Sequence, residues 1–183
     1  MSDELRVLIL EDVPADAELM ERELRKTGHV FSSRSVETQE AYTEALADFV
    51  PAVILADYKL PQFDGLAALA IAQEKCPEVP FLFVTGTMGE ELAVEALKQG
   101  AHDYILKDRM SRLGPAVLRA LEKARLRKEH QAAEAKLREH LEELRRFEKV
   151  AIAREQRMEE LKEENARLLA KIAELESHNM ERP

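Results

Sequence analysis

The stretch "ILADYKLPQFDG", residues 54–65, joins a buried apolar segment to a loop with two aspartates. Three apolar residues, Ile54, Leu55 and Ala56, lead straight into Asp57, and the segment closes on Asp64 and Gly65. A short, continuously apolar run is typical of a strand that is buried on both faces of a parallel sheet. A carboxylate at the tip of such a strand is either a turn residue or part of a site.

Similar runs alternate with helical patterns through the first 114 residues. The predicted strands are β-branched or apolar and cover residues 6–10, 29–35, 52–56, 81–85 and 103–107. The predicted helices have apolar positions at helical spacing and cover residues 16–26, 39–48, 66–75 and 90–99. This alternation predicts an α/β domain with a doubly wound, five-stranded parallel sheet. Gly28 and Gly100 each follow a helical pattern, where a residue with positive φ commonly ends the helix.

Composition limits the class of protein. The chain has 183 residues, 27 basic and 36 acidic, for a net charge of -9. Residues 1–114 hold 11 of the basic and 21 of the acidic residues, so no basic face favours direct nucleic-acid binding. No apolar stretch reaches the roughly 20 residues of a membrane span, and the N-terminus lacks the features of a signal peptide. We therefore expect a cytoplasmic protein without a membrane segment.

Polar side chains follow four of the predicted strands. Glu11 and Asp12 come after the first strand, Asp57 after the third, Thr85 ends the fourth and Lys107 ends the fifth. The carboxyl ends of parallel strands meet at one edge of the sheet, so these side chains should converge. Clustered carboxylates need a cation, and oxygen ligands suit Mg²⁺. The set predicts a pocket that carries an aspartyl phosphate, with Lys107 offsetting charge and Thr85 donating a hydrogen bond.

Each of these residues has an ordinary structural interpretation when it is taken singly. An Asp after a strand is more often a turn residue or a helix cap, and an acidic pair before Pro14 could simply start a helix. A single lysine is usually a solvated charge, and a single threonine is usually just a strand residue. It is the combination that favours a site.

Four motifs in order carry a resemblance over about residues 4–125: "LILEDV", "DYKLPQFDG", "VTG" and "DYILK". Together they resemble the flavodoxin-like receiver domain of bacterial response regulators in two-component signalling. The resemblance implies that Asp57 accepts a phosphoryl group from a histidine kinase or phosphotransfer protein. It implies that Glu11, Asp12, Asp57 and the backbone carbonyl of Lys59 hold Mg²⁺.

The resemblance also implies a switch. Lys107 would pair with the phosphoryl group, Thr85 would turn toward it, and Tyr104 would swing inward behind Thr85. Lys59 and Thr87 stand beside the site, where the family varies. Asp108 stands where many receivers have proline, so a cis peptide bond is not expected there. Such a domain modifies itself and is not a classical enzyme.

The last third of the chain predicts one long helix. Residues 116–182 contain neither Gly nor Pro, and helical signal runs from Pro115 to about Ser177, a length of about 95 Å. One heptad register places apolar residues at eleven of fifteen a and d positions, which predicts a left-handed coiled coil. Asn165 at an a position favours a parallel homodimer. The predicted dimer seam comprises Leu144, Phe147, Met158, Leu161, Asn165, Leu168, Ile172 and Leu175.

Other interpretations of this helix compete. A leucine zipper that binds DNA needs a basic region, but "RRFEKVAIAREQR" interleaves acidic residues with its arginines. A histidine kinase dimerisation domain needs a histidine followed by an acidic residue, whereas His130 precedes Gln131 and His140 precedes Leu141. A solvated single helix is a further alternative. A dimerising helix that transmits a signal requires only what is present.

We therefore expect a dimeric response regulator. Residues 1–125 form the receiver, with its last helix from about residue 112; residues 126–178 form the coiled coil and 179–183 a tail. The output domain is absent or acts in trans. Alternatives are the front of a larger hybrid sensor protein, or a constitutive dimeric scaffold with vestigial phosphorylation. A haloacid-dehalogenase-like phosphatase is disfavoured, because Lys59 stands where such enzymes usually carry a second Asp.

Overall fold

The computed structural model describes residues 4–86 and 90–180. The chain divides after Glu129 into two units. The first is an α/β unit and the second is helical.

The α/β unit contains one five-stranded sheet. Its strands are β1 (Leu5–Leu10), β2 (Phe31–Val36), β3 (Val53–Ala56), β4 (Phe81–Thr85) and β5 (Asp103–Leu106). Its helices are α1 (Pro14–Arg25), α2 (Gln39–Asp48), α3 (Gly65–Lys75), α4 (Glu90–Lys98) and the start of α5 (Leu113–Met180). The strand order is β2-β1-β3-β4-β5, and all four neighbouring pairs are parallel. The predicted doubly wound sheet is confirmed.

Alternation of apolar side chains along the strands produces two cores. Leu8 and Leu10 of β1 face one side, where the cluster includes buried residues of α2, α3 and α4. Val7 and Ile9 face the other side, against α1 and the first turns of α5. Because both faces are covered, β3 and β4 are buried at every position and show no polar alternation.

Several element bounds differ from the sequence predictions. Helix α1 begins at Pro14 and not at residue 16, because proline suits the first helical turn. Strand β2 covers Phe31–Val36 and not residues 29–35. Strand β5 ends at Leu106, so the assignment of Lys107 to the last strand is wrong. Lys107 begins a short 3₁₀ helix, Lys107–Arg112, which leads directly into α5.

Two glycines end their helices as predicted. Gly28 has a φ of 76° and Gly100 a φ of 101°, both in the left-handed region that favours glycine. Among the described residues every peptide bond is trans, which agrees with the expectation at Asp108. Asp108 itself is exposed.

The helical unit is the continuation of α5, which reaches Met180. Apolar residues of the predicted seam are exposed along it: Leu144, Phe147, Met158, Leu161, Leu168 and Ile172. The side chain of Leu175 lies outside the described residues. In the part of the chain that the structure describes, no helix combines the length and the apolar character that crossing a bilayer requires.

Candidate functional site

Asp57 lies one residue past the end of β3. Its backbone N–H donates to the carbonyl of Leu10 at 2.9 Å, so the β1–β3 ladder holds this residue in place. Asp57 is only 8% exposed, and its Oδ1 accepts a hydrogen bond from the backbone N–H of Lys59 at 3.2 Å. The apolar strand thus carries a carboxylate to the rim of the sheet and fixes its orientation.

The loop after Asp57 closes through the Asp-Gly pair. Asp64 caps α3, since its side chain accepts from the backbone N–H of Leu66 at 3.1 Å. The N–H of Gly65 donates to the carbonyl of Tyr58 at 3.3 Å. A Cβ atom on Gly65 would lie 2.6 Å from the carbonyl oxygen of Asp57, so only glycine fits here. The start of α3 therefore packs directly against the backbone of the site.

Lys107 supplies the positive charge of the pocket. Its Nζ lies 2.7 Å from Oδ2 of Asp57, 2.7 Å from Oε2 of Glu11 and 2.6 Å from Oδ2 of Asp16. The lysine side chain is 15% exposed. Three carboxylates from three different elements thus surround one ammonium group. The structure brings together Glu11, Asp57 and Lys107, as the sequence predicts.

Glu11 is the most buried member of this group. Its N–H donates to the carbonyl of Val36 at 3.1 Å, and its Oε1 accepts from the N–H of Val13 at 3.2 Å. Its side chain is fully buried, and Oε2 approaches Lys107 without the alignment of a hydrogen bond. Burial raises the pKa of Glu11 above its ordinary value, and the neighbouring Lys107 only partly opposes that effect.

The carboxylates keep Lys107 charged. Burial by itself lowers the pKa of this amine, but the neighbouring carboxylates of Asp16, Asp57 and Glu11 outweigh burial, so the net shift of the pKa is upward. The ammonium form is therefore the one that any incoming anion meets.

Asp16 is the residue that sequence reasoning missed. It lies in the first turn of α1, where an acidic residue is ordinarily explained by the helix dipole. Its side chain instead reaches Lys107 across 91 residues of sequence. The sequence feature that could have indicated Asp16 is its position in the first helical turn after Glu11 and Asp12.

The other predicted site residues differ in how far their side chains are buried. Asp12 is half-buried beside Glu11, and Thr85 is buried at the carboxyl end of β4. Tyr104 is half-buried and packs against the core cluster that includes Phe83. Lys59 is exposed. Thr87 lies outside the described residues.

The turn after β4 lies beside Lys107. A Cβ atom on Gly86 would be 4.0 Å from Cδ of Lys107, in ordinary van der Waals contact. Thr85, which precedes Gly86, thus ends its strand next to the lysine. This is the juxtaposition that the strand order β3-β4-β5 requires.

The chemistry of the pocket suits a hard divalent cation. The side-chain donors are carboxylate oxygens, and Oε2 of Glu11 is a buried acceptor without an aligned donor. As the side chains stand, no group of three or more His, Cys, Asp or Glu residues within 4–86 and 90–180 forms a ready metal cluster. The cation between the carboxylates is the Lys107 ammonium.

Comparison with known proteins identifies the family. Residues 7–118 match the response regulator receiver domain, which is more than half of the chain. The chain therefore belongs to the receiver domain family of two-component response regulators.

The relatives are longer proteins. The response regulator FleR of Pseudomonas aeruginosa is 33% identical over 102 residues, which are 56% of this chain and 21% of FleR. The nitrogen assimilation regulatory protein NtrX of Azorhizobium caulinodans is 35% identical over 67% of this chain and 27% of its own length. The chain thus spans about a fifth to a quarter of the length of these curated relatives.

Solved structures agree in fold. Crystalline NtrX from Brucella abortus superposes with a TM-score of 0.64 at 28% identity, covering 71% of this chain and 29% of that one. The receiver domain of a LuxO repressor protein from Vibrio parahaemolyticus gives 0.62 at 25% identity, covering 68% of this chain and 95% of that one.

Proposed function

We propose that this receiver accepts a phosphoryl group on Asp57 from the phosphohistidine of a histidine kinase or phosphotransfer protein. The observation that carries the proposal is the buried Asp57 carboxylate at a strand end, with Oδ2 held 2.7 Å from the Lys107 ammonium. A carboxylate in that position is oriented for attack, and the ammonium lies where negative charge develops.

The step is a phosphoryl transfer. A carboxylate oxygen of Asp57 attacks phosphorus and forms the new P–O bond, while the P–N bond to the donor imidazole breaks and its electron pair stays on nitrogen. Lys107 donates hydrogen bonds to the transferred group, and the buried Thr85 supplies a further donor. The acceptor is the protein itself, so no outside substrate is turned over.

A divalent cation fits this pocket. Glu11, Asp12, Asp57 and the backbone carbonyl of Lys59 would hold Mg²⁺. When bound, Mg²⁺ neutralises charge on the phosphoryl oxygens and on the crowded carboxylates. The buried, unaligned Oε2 of Glu11 supports this assignment.

The response passes through Thr85 and Tyr104. The aspartyl phosphate carries almost two negative charges where the carboxylate of Asp57 carried one, and its oxygens draw the Thr85 hydroxyl toward them. Tyr104 lies opposite Phe83 in the β4–β5 register and is half-buried, so it can move inward when Thr85 moves. The result is a population shift at the surface of α4, β5 and α5.

The signal continues through a parallel homodimer of α5. Phe147 is 76% exposed and Leu161 is 41% exposed in the single chain, although both are apolar seam residues. A second copy of the same helix offers the matching stripe, and Asn165 can pair with its twin across a parallel seam. The partner of α5 is therefore another copy of this chain, and the output acts further along the protein or in trans.

Acetyl phosphate with Mg²⁺ tests the proposal. The wild type should gain one phosphoryl group in its intact mass, and Asp57→Asn should gain none. Asp64→Asn is the matched control, because it also neutralises an aspartate of the loop and asparagine still caps a helix. Equal labelling of the wild type and Asp57→Asn would remove the assignment.

A further inference from the structure

One of the carboxylates beside Lys107, that of Asp16, has no role in the phosphoryl transfer described above. Asp16 Oδ2 accepts a hydrogen bond from Nζ at 2.6 Å, as close as the hydrogen bond to Asp57 at 2.7 Å. Asp16 is placed by α1, whereas Glu11 and Asp57 are placed by strand ends. The contact between Asp16 and Lys107 therefore depends on the position of α1 and not on the strand ends that place the other two carboxylates.

The donors of the ammonium group are limited. A lysine ammonium has three N–H groups, and three carboxylates from Glu11, Asp16 and Asp57 already surround it. Two of these N–H groups donate to Asp16 and Asp57, and Oε2 of Glu11 lies 2.7 Å from Nζ without an aligned hydrogen bond. For a phosphoryl oxygen to reach Nζ in this crowded shell, the ammonium has to move away from one of the three carboxylates. The contact that is released has to be one whose carboxylate can return to solvent at low cost.

Burial selects Asp16 as that contact. The side chain of Glu11 is fully buried and that of Asp57 is 11% exposed, while that of Asp16 is 30% exposed. A carboxylate left buried without its cation is costly, and a partly exposed one is rehydrated. Asp57 itself carries the phosphoryl group and stays beside the lysine.

We propose that Asp16 is a positioning residue that holds the Lys107 ammonium before phosphorylation and competes with the phosphoryl group for it. The proposal rests on the proposed function of Asp57. Asp16 stabilises the unphosphorylated pocket and slows the acceptance of phosphate, because the Asp16–Lys107 contact has to open as the new phosphoryl contact forms.

The experiment compares Asp16→Asn with Glu18→Gln in the full chain. Both variants remove one negative charge from α1, but Glu18 is exposed and only Asp16 contacts Lys107. With acetyl phosphate and Mg²⁺ at saturation for each protein, Asp16→Asn should be phosphorylated about two- to fivefold faster, the size of a partly exposed ion pair. Glu18→Gln should match the wild type.

A second readout does not depend on the rate of phosphorylation. The ¹⁵N signal of the Lys107 ammonium should shift in Asp16→Asn and stay unchanged in Glu18→Gln, before any phosphate is added. A role of Asp16 confined to the stability of α1 would lower the melting temperature without moving that signal. An unshifted signal, or a rate for Asp16→Asn that equals or falls below the wild-type rate, would overturn the proposal.

The two hypotheses fail differently. If the wild type takes up no phosphoryl group, the proposed function of Asp57 fails. If the wild type is labelled at Asp57 but Asp16→Asn is not faster, only the role of Asp16 fails.

Discussion

Lys107 is the residue that joins the distant parts of this chain into one pocket. Its ammonium contacts carboxylates at the end of β1, in the first turn of α1 and at the end of β3. The lysine follows β5 at the start of a 3₁₀ helix, so four elements meet at one nitrogen atom. The three carboxylates give the pocket the negative charge that suits a divalent cation, and the ammonium group of Lys107 gives it a donor for an anionic group.

Sequence reasoning reaches most of this pocket but not all of it. Glu11, Asp57 and Lys107 are predictable, because parallel strands bring their carboxyl ends to the same edge of the sheet. Asp16 is not predictable in that way, because it comes from a helix. The pattern of α1 fixes which side of the helix faces the core, but not how far a polar first-turn side chain reaches across the sheet edge.

Gly65 provides a test of how tightly α3 packs on the site. In Gly65→Ala the new Cβ would meet the carbonyl oxygen of Asp57 at 2.6 Å, and it would lie 3.0 Å from Cε1 of Phe83. Because backbone has to shift to relieve that contact, the free energy of unfolding should fall by about 1–3 kcal/mol. Phosphorylation of Asp57 should fall with it.

Gly86→Ala is the control for that substitution. Its Cβ would have no neighbour closer than 4.0 Å, so chemical denaturation should place it within about 0.5 kcal/mol of the wild type. If Gly65→Ala proved as stable as Gly86→Ala, the close approach of α3 to Asp57 would be refuted.

His102 makes the stability of the fold depend on pH. It lies at the amino-terminal ends of β4 and β5, the opposite edge of the sheet from the site. Its Nδ1 accepts from the N–H of Phe81 at 3.2 Å. Burial, together with the positive charges of Lys123 and Arg127, lowers the pKa of His102 below 6.5. The unfolded chain therefore binds a proton at a higher pH than the folded chain does. By linkage, stability is full above pH 6.5 and decreases as the pH falls through that value toward the folded-state pKa.

The measurement is the free energy of unfolding between about pH 7.5 and pH 5.5, the range in which histidine titrates. Relative to His102→Asn, which keeps an acceptor but does not titrate, the wild type should lose stability as the pH falls. Parallel curves for the two proteins would show that His102 does not contribute to this dependence.

For the helices and strands, the periodicity of apolar residues predicts that an element is present more reliably than it predicts where the element begins and ends. All five strands and all five helices are found where apolar pattern places them, because burial on two faces imposes that pattern. The ends move by a few residues, since they depend on single contacts. Thr38 caps α2 by accepting from the N–H of Ala41, and the helix starts where predicted; Val13 provides no side-chain cap, and α1 begins earlier than predicted.

Helix α5 is the element on which the proposed dimerisation depends. Leu161 occupies a d position of the heptad register, and Ile152 lies off the seam at a b position; both are exposed in the single chain. Leu161→Glu places a charge in the proposed seam, so it should lower the proportion of dimer in sedimentation experiments. Ile152→Glu makes the same chemical change outside the seam and should leave the dimer intact. Equal effects of the two substitutions would contradict the proposed register.

At the scale of the whole chain, the family and the site are separate findings. The match over residues 7–118 and the sheet order define a receiver domain. The pocket geometry supports phosphorylation of Asp57 on grounds of its own, since it depends on distances between side chains. The heptad pattern of α5 extends beyond the matched residues, so the proposal of a dimer rests on that pattern and on the exposed apolar stripe.

Locating the phosphoryl group is the most direct test that Asp57 is the acceptor. After incubation with acetyl phosphate and Mg²⁺, reduction of the protein with borohydride converts an aspartyl phosphate to homoserine, and peptide mass spectrometry identifies the residue. We expect homoserine at position 57 and at no other aspartate. Homoserine at another position, or none under conditions that label a known receiver, would contradict it.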